Sequence, residues 1–492
     1  MSKPIFQQEL EFLKENGIDI PENCWRDGSK IYLNHDDLFP VITFEVIELL
    51  NKLKIKKNYI KSIDGNKVHI KNTFKGKKYD EIWINKTWEQ EIEENADRLD
   101  KLMGKHVGMT IKYLNKHLDY EKRVQISGGK DSSVMNYMFL KWVLPKLKDK
   151  SFKYDAFNTT NDTADTYRQI YREGLAKDDV VNPLIYVSEE NYKTLLENGF
   201  KEEQFIIQGK KKYIHIGWYQ WIEKIKNYWI PNALKRSCCS TFKEGQVKLM
   251  LDKTKKYVTL LGVRKYESAK RAFYEFNLQK AYDDNPNKEY NMPREWKRIA
   301  PICYITDADI WLYIMKEKIE VNPMYYKGFS RCGCLVCPFN SPYTNMLIQK
   351  YYPQQWKRWM NIVSKNYDVK NVSKRLKWTR AEYLSGKWRV GLSKEWEIIK
   401  QKKTPERIQE LANIKCISYE MAEKYWDKKC SCGKKLNPDE VAMFYKLYGR
   451  YERQEDNRQL LCKECLCKEL GITSKEYSEK AREFREQGCN LF

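Results

Sequence analysis

The chain has 492 residues, 42% hydrophobic and 32% charged, which suits roughly two to four globular domains and excludes a wholly disordered protein. Lysine and arginine total 90 against 67 acidic residues, a formal charge of +23 that favours polyanionic partners such as nucleotides and nucleic acid. No apolar run approaches the ~20 residues of a membrane span. The opening MSKPIFQQELEFLKENG puts charges where a secretory signal has its apolar core, so a cytoplasmic location without a membrane partner is expected.

In chain order, residues 1–105 carry no chemical motif and read as an N-terminal α+β accessory region. KVHIKN and DEIWINKT alternate as a β-hairpin does. HVGMTIKYLNKHL has apolar residues at helical spacing. KRVQI reads as a short buried strand, SGGKDSS as a Gly-rich turn and VMNYMFLKWVL as a helix. YDAFNTT, LIYVSE and YVTLLGV read as further strands separated by helical patterns. That alternation predicts an α/β unit over 106–340 with parallel strands and crossover helices. Residues 341–427 are rich in Trp, Tyr and Lys and read as helical. Their mix of aromatic and basic residues suits base stacking, but at helical spacing core packing is the expected use. Residues 428–492 combine a cysteine module with the closing helix SKEYSEKAREFREQG.

The turn carries the first chemistry. Gly128 and Gly129 permit a tight turn and let backbone N–H groups approach an anion. Ser127, Ser132 and Ser133 offer hydroxyls, Lys130 adds a positive charge, and Asp131 holds the loop or helps bind Mg²⁺. The helix that follows points its positive end at the same place. The pattern is not GxxxxGK[ST].

Fourteen cysteines in a reducing compartment are expected as thiols or metal ligands. Cys430 and Cys432, then Cys462 and Cys465, give four thiolates for a structural Zn²⁺, with Gly433 allowing the intervening turn. The upstream pair is spaced CxC where CxxC is usual, and Cys467 is an alternative ligand. The module resembles small treble-clef or ribbon zinc fingers.

SGGKDS matches the PP-loop of ATP pyrophosphatases, which release pyrophosphate and leave AMP or an adenylated product. More of the chain resembles the phosphoadenosine phosphosulfate (PAPS) reductases of that superfamily. NTTNDTADTYR (158–168), RSCCSTFK (236–243), GVRKYESAKR (262–271), PICYITDADIWLYI (301–314) and NPMYYKGFSRCGCLVCPF (322–339) follow in family order. The resemblance implies a Rossmann-like, adenine nucleotide α-hydrolase-like parallel sheet with helices on both faces. It also implies that Gly262 and Arg264 join the loop in binding ATP or an adenylyl nucleotide. Lys130, Asp131, Lys243 and Arg264 become the candidate catalytic residues, with Arg236 and Arg271 as further oxyanion clamps. Glu267 is expected to pair with one of these arginines.

Cys238 and Cys239 with Cys334 and Cys337 resemble the CC…CxxC site of adenylylsulfate reductases, which implies a [4Fe–4S] cluster. Zinc, or a buried redox-active pair, is the alternative. Cys332 is a fifth thiol nearby. The reductases end in a Glu-Cys-Gly-x-His tail, whereas this chain ends EQGCNLF, with Cys489 close to the matching place. An ATP-type loop joined to such a cysteine set is more like the enzyme that puts phosphorothioate sulfur into DNA. That likeness implies ATP cleavage, a nucleic-acid acceptor (DNA or tRNA) and a sulfur donor such as a cysteine desulfurase. A sulfite-forming sulfonucleotide reductase and a non-catalytic nucleic-acid-binding subunit of a defence complex are the competing readings.

Overall fold

The computed structural model describes residues 2–486, apart from 75–76, 232–236, 253, 268–270, 272–273, 279–294, 377, 390–397, 399–401, 416–418, 427–428, 438–439, 442 and 445–459. The chain begins with an antiparallel sheet of five strands in sequence order. These are β1 (Ser2–Pro4), β2 (Trp25–Asp27), β3 (Lys30–Tyr32), β4 (Ile42–Ile47) and β5 (Lys52–Asn58). Helix α1 (Gln7–Glu15) follows β1 and buries Leu10, Phe12 and Leu13. A second antiparallel sheet holds β6 (Ile60–Asp64), β7 (Lys67–Phe74) and β8 (Lys77–Ile84). β7 and β8 are the hairpin expected from their alternation, in register Lys67↔Ile84.

Helix α2 (Trp88–Lys116) starts at a capping box: Thr87 Oγ1 accepts from Gln90 N at 3.3 Å, and Thr87 N donates to Gln90 Oε1 at 2.9 Å. The boundary expected at 105/106 falls inside this 29-residue helix. The helical spacing seen in HVGMTIKYLNKHL is only its second half, because the more polar first half packs fewer apolar side chains.

The α/β unit follows. Strands β9 (Glu121–Gln125), β10 (Lys153–Phe157), β11 (Val180–Val181), β15 (Tyr257–Leu261) and β16 (Trp296–Ile299) form one sheet in the order β11-β10-β9-β15-β16, and each neighbouring pair is parallel. The order runs outward in one direction from β9 and then restarts at β15. This is the doubly wound arrangement of a Rossmann-like fold. Helices α3 (Lys130–Met138), α4 (Ala164–Arg172) and α5 (Glu189–Glu197) lie between strands in the chain, and α6 (Asp307–Glu317) packs against α2, α3 and β1. The sheet core includes Val124, Ile126, Ala156, Val258, Leu260 and Ile299 beside Val134, Met138 and Trp311.

One expected parallel strand belongs elsewhere. LIYV is β12 (Leu184–Val187), which pairs antiparallel with β14 (Lys211–His215), itself antiparallel to β13 (Phe205–Gln208). In β12, Ile185 and Val187 are buried while Tyr186 is exposed, the one-sided burial that antiparallel sheets tolerate.

The contacts divide the chain into two units. The first holds residues 1–229, 237–336 and 342–359; the second holds 230–236, 337–341 and 360–492. The break expected at 340/341 therefore lies within a more interleaved division. In the second unit Tyr383 and Trp388 are buried, and Tyr383 OH donates to Asn366 Oδ1 at 2.6 Å, so this part of the aromatic stretch is used as core. Helices α7 (Lys463–Leu470) and α8 (Ser474–Glu486) close that unit. No helix among the described residues is long and apolar enough to cross a membrane.

Candidate functional site

The phosphate loop leaves the end of β9, beside β15, where the strand order reverses and an open α/β sheet leaves its ligand crevice. Gly128 adopts φ +69°, and a Cβ there would lie 2.9 Å from Thr166 O, so only glycine fits. Asn322 Nδ2 fixes the turn by donating to Gly128 O at 3.2 Å and Thr166 Oγ1 at 3.1 Å. Gly129 is the N-cap of α3. Ser132 Oγ accepts from Ser127 N at 3.2 Å, meets Ser127 Oγ at 3.1 Å and donates to Gly129 O at 2.9 Å, closing the loop on itself. Among the described residues the amide N–H groups of Gly128 and Gly129 have no partner.

Gly262, just after β15, lets that strand approach α3. A Cβ there would stand 2.7 Å from both Ser132 N and Ser132 Cα. Because backbone cannot swing aside as a side chain can, Gly262→Ala should cost about 1–3 kcal/mol in urea unfolding. A loss below a few tenths would mean that the loop has room to move.

Beneath the loop lies a buried set of two cations and two carboxylates. Arg264 has no exposed side-chain surface; its Nε bonds Asp131 Oδ1 at 2.6 Å, one Nη bonds Asp307 Oδ1 at 2.6 Å, and the other bonds Ile305 O at 3.0 Å. Lys130 Nζ bonds Asp131 Oδ2 at 2.9 Å and Asp307 Oδ1 at 3.2 Å. Burial opposes ionisation of Asp131, yet Lys130 and Arg264 outweigh it and hold its pKa below the ordinary value. Asp131 thus bonds both Lys130 and Arg264, and the Lys130 ammonium stands among carboxylates. Asp307 was missed as a site residue, although it lies in the quoted ITDADIW.

Tyr325 was also missed. Its hydroxyl accepts from Lys130 N at 2.9 Å and bonds Cys332, whose thiol burial pushes well above its usual pKa. The segment carrying Cys332 is tied to the N-terminal sheet: Arg26 donates to Gly328 O at 2.8 Å and to Glu9 Oε1 at 2.6 Å, and Tyr343 OH donates to Glu9 Oε1 at 3.0 Å. Residues 1–105 therefore help to hold the site's wall.

Cys238 and Cys239 form the helical turn Ser237–Cys239 and are half-buried. Cys334 is half-buried with Sγ 3.6 Å from Thr159 Oγ1. The two segments meet where Lys243 Nζ lies 3.9 Å from the position a Cβ would take on Gly333, the residue between Cys332 and Cys334. Cys337, also half-buried, opens the piece 337–341 of the second unit. Arg271 pairs with Glu267, the partner expected for that carboxylate. Arg236 and Cys489 lie outside the described residues.

Residues 122–340 match the phosphoadenosine phosphosulfate reductase domain family. The chain carries a PAPS reductase domain. Two uncharacterized proteins of Methanocaldococcus jannaschii are 28% and 25% identical over 30% and 66% of this chain, which covers 30% and 63% of their lengths. The adenosine 5'-phosphosulfate reductase of Allochromatium vinosum is 23% identical over 31% of this chain and 51% of its own length. That of Burkholderia cepacia is 28% identical over 21% and 36%. A PAPS reductase from Candida auris, solved as a phosphate complex, aligns at 14% identity and TM-score 0.26 over 46% of this chain and 93% of its own. The fold assignment rests on the strand order above.

The PAPS reductase domain holds one more group that sequence gave no reason to single out. Ser133 Oγ lies 3.1 Å from Gly129 O and 2.5 Å from Glu173 Oε1. Ser133 Oγ thus reaches two acceptors, and Gln169 Nε2 donates to the same Glu173 oxygen at 3.1 Å. Burial raises the Glu173 pKa to about 7 despite hydrogen bonds from Ser133 and Gln169. Its folded pKa stands above the unfolded value of about 4.3, so the folded state binds this proton more tightly. The stabilisation is complete below the unfolded value and is lost as pH rises through about 7. Glu173→Gln should flatten the stability profile across that window, read from urea midpoints at pH 5 and pH 8; an unchanged slope would assign the pH dependence to other groups.

In the second unit Cys430, Cys432, Cys462 and Cys465 place their sulfurs within 4.8 Å of one another, a group able to bind a metal. Gly433 takes φ +86° and donates its N–H to Cys430 O at 2.8 Å, the turn expected between the pairs. Cys462 N donates to Cys430 Sγ at 3.0 Å. Burial opposes the Cys430 thiolate, but the backbone N–H groups of Cys432 and Cys462 bring its pKa down to about 6. Cys467 points instead to Thr473 O at 3.8 Å.

Proposed function

We propose that the PAPS reductase domain binds ATP at Ser127–Ser133 and uses it to activate a nucleic acid for sulfur transfer. An acceptor oxygen attacks the α-phosphorus, the bond to the β-phosphate breaks, and pyrophosphate leaves. Sulfide, freed from the donor's persulfide by a thiol reductant, then attacks the adenylated centre, and AMP leaves with the bonding electrons. The observation that carries this reading is the intact SGGKDSS loop, closed by Ser127 and Ser132, with the amides of Gly128 and Gly129 open to phosphate oxygens. Mg²⁺ would accompany the triphosphate. The positive end of α3 faces the same anion.

By the CC…CxxC pattern of the sequence, Cys238, Cys239, Cys334 and Cys337 are the residues that would hold a [4Fe–4S] cluster, whose chemistry would be to carry or relay sulfur. Lys243, beside the Gly333 backbone, adds positive charge that favours thiolates there. The sulfur would come from a donor such as a cysteine desulfurase, and the reducing cytoplasm suits such chemistry.

A second reading, reduction of adenosine 5'-phosphosulfate to sulfite, is favoured by the likeness to the two named reductases. Anaerobic protein given ATP and Mg²⁺, with and without DNA or tRNA, separates the two when pyrophosphate and AMP are assayed. A parallel reaction with adenosine 5'-phosphosulfate and a thiol is assayed for sulfite. The first reading expects pyrophosphate release that falls about 100-fold in Ser127→Ala. Sulfite formation without pyrophosphate release would overturn it.

A further inference from the structure

We propose that the lysine-rich β layer of residues 52–71 is a docking surface for a nucleic-acid phosphate backbone. This stretch holds seven lysines against one acid, Asp64, and all seven are exposed. On β5, Lys52, Lys54 and Lys56 alternate with half-buried Leu53 and Ile55. On β7, Lys67 and Lys71 flank His69 and alternate with buried Val68 and Ile70. The two sheets join at Tyr59, whose N–H donates to Val41 O at 3.0 Å and whose carbonyl accepts from Lys71 N at 2.7 Å. Tyr59 thus links the two sheets that carry the basic strands.

Few of these charges are answered within the protein. Lys56 pairs with Glu45 at 2.7 Å and Lys61 with Asp80 at 2.8 Å. Lys52, Lys54, Lys57 and Lys67 have no ion pair among the described residues, while Lys71 stands opposite Asp80 in the β7–β8 register and helps to lower its pKa without a close ion pair. Lys57 instead lies 4.7 Å from the ring centroid of Tyr59, an aromatic face set among cations. Strand residues two apart are about 6.8 Å apart along the strand. Phosphates of one strand of a duplex recur every ~3.4 Å along the helix axis, so lysines at this spacing can meet different phosphates. A row of exposed cations with the Tyr59 ring among them suits a polyanion that also offers bases to stack, and Ile82 and Ile84 are exposed on the neighbouring β8. The proposed function supplies only the choice of nucleic acid as the polyanion.

The test uses the full chain without ATP and labelled 20-base-pair DNA and an RNA hairpin, with binding followed by anisotropy from 50 to 300 mM KCl. Changing Lys52, Lys54, Lys67 and Lys71 together to Gln should weaken binding at least tenfold and reduce the salt slope by about 3 to 4 units, at roughly 0.9 per lost phosphate contact. The pairs Lys52→Gln/Lys54→Gln and Lys67→Gln/Lys71→Gln should each remove about half of that slope, which keeps the test open if the fourfold variant fails to fold. A control set on other elements, Lys148, Lys150, Lys210 and Lys211 to Gln, should change affinity less than about twofold. Equal losses in the control set would overturn the proposal. So would binding to phosphatidylserine vesicles but not to nucleic acid, or aggregation of the variants with an unchanged salt slope, the result expected if these lysines only guard a sheet edge. Pyrophosphate release is not read here, so ATP cleavage and docking stand or fall separately.

Discussion

Replacing Arg264 with methionine should lower the folding free energy by about 3–5 kcal/mol, measured by urea unfolding at pH 7. The guanidinium is fully buried and bonds two carboxylates and a carbonyl. Without it, Asp131 and Asp307 share the single ammonium of Lys130, and one buried negative charge is left over. Solvent cannot screen that charge as it would on the surface. Adding Asp307→Asn to the variant should recover part of the loss, because it removes the excess charge.

The same network sets an acid limb. The Asp131 pKa is depressed on folding, so its stabilisation is full above the unfolded carboxyl value of about 3.9 and is lost as pH falls through the lower folded value. Asp131→Asn should therefore make acid unfolding shallower. A loss below about 1 kcal/mol for Arg264→Met would mean that water enters and solvates the carboxylates. Since Asp131 is the second residue of α3, loss of this network should also abolish the nucleotide binding proposed for the loop.

Zinc should bind the second unit stoichiometrically and stabilise it by several kcal/mol. Zinc-finger peptides gain about 10–16 kcal/mol from their metal at neutral pH, and a partly formed site keeps a share of that. The geometry fits: tetrahedral zinc with bonds of about 2.3 Å separates its sulfurs by about 3.8 Å, and Cys432 Sγ and Cys462 Sγ stand 3.8 Å apart. Cys462 occupies the N-cap of α7, so closing the site also fixes the start of that helix. Cobalt titration should give a four-thiolate spectrum, lost in Cys462→Ser and retained in Cys467→Ser. Proteolysis of the second unit should quicken after chelation. Equal loss in both serine variants, or chelation without effect on proteolysis, would remove zinc as the staple of this unit.

Much was legible in the residue order by itself. Strand, Gly-rich turn and helix at 121–138 are neighbours in the chain, and their spacing follows from local backbone rules, as does the β7–β8 hairpin, while the four C-terminal thiols are marked by their paired spacing. Other features depended on which distant segments meet. LIYV has the composition of a parallel strand, and only its partners make it antiparallel. Lys130 reads as a phosphate-facing cation until Asp307, 177 positions away, is found beside it. Nothing near Arg26 in the chain points to Gly328, 302 positions away, whose carbonyl accepts its hydrogen bond. Local periodicity encodes which face of an element is apolar. The pairing of buried charges is decided by tertiary packing, because desolvation makes each buried ion accept whichever opposite charge the fold brings within reach.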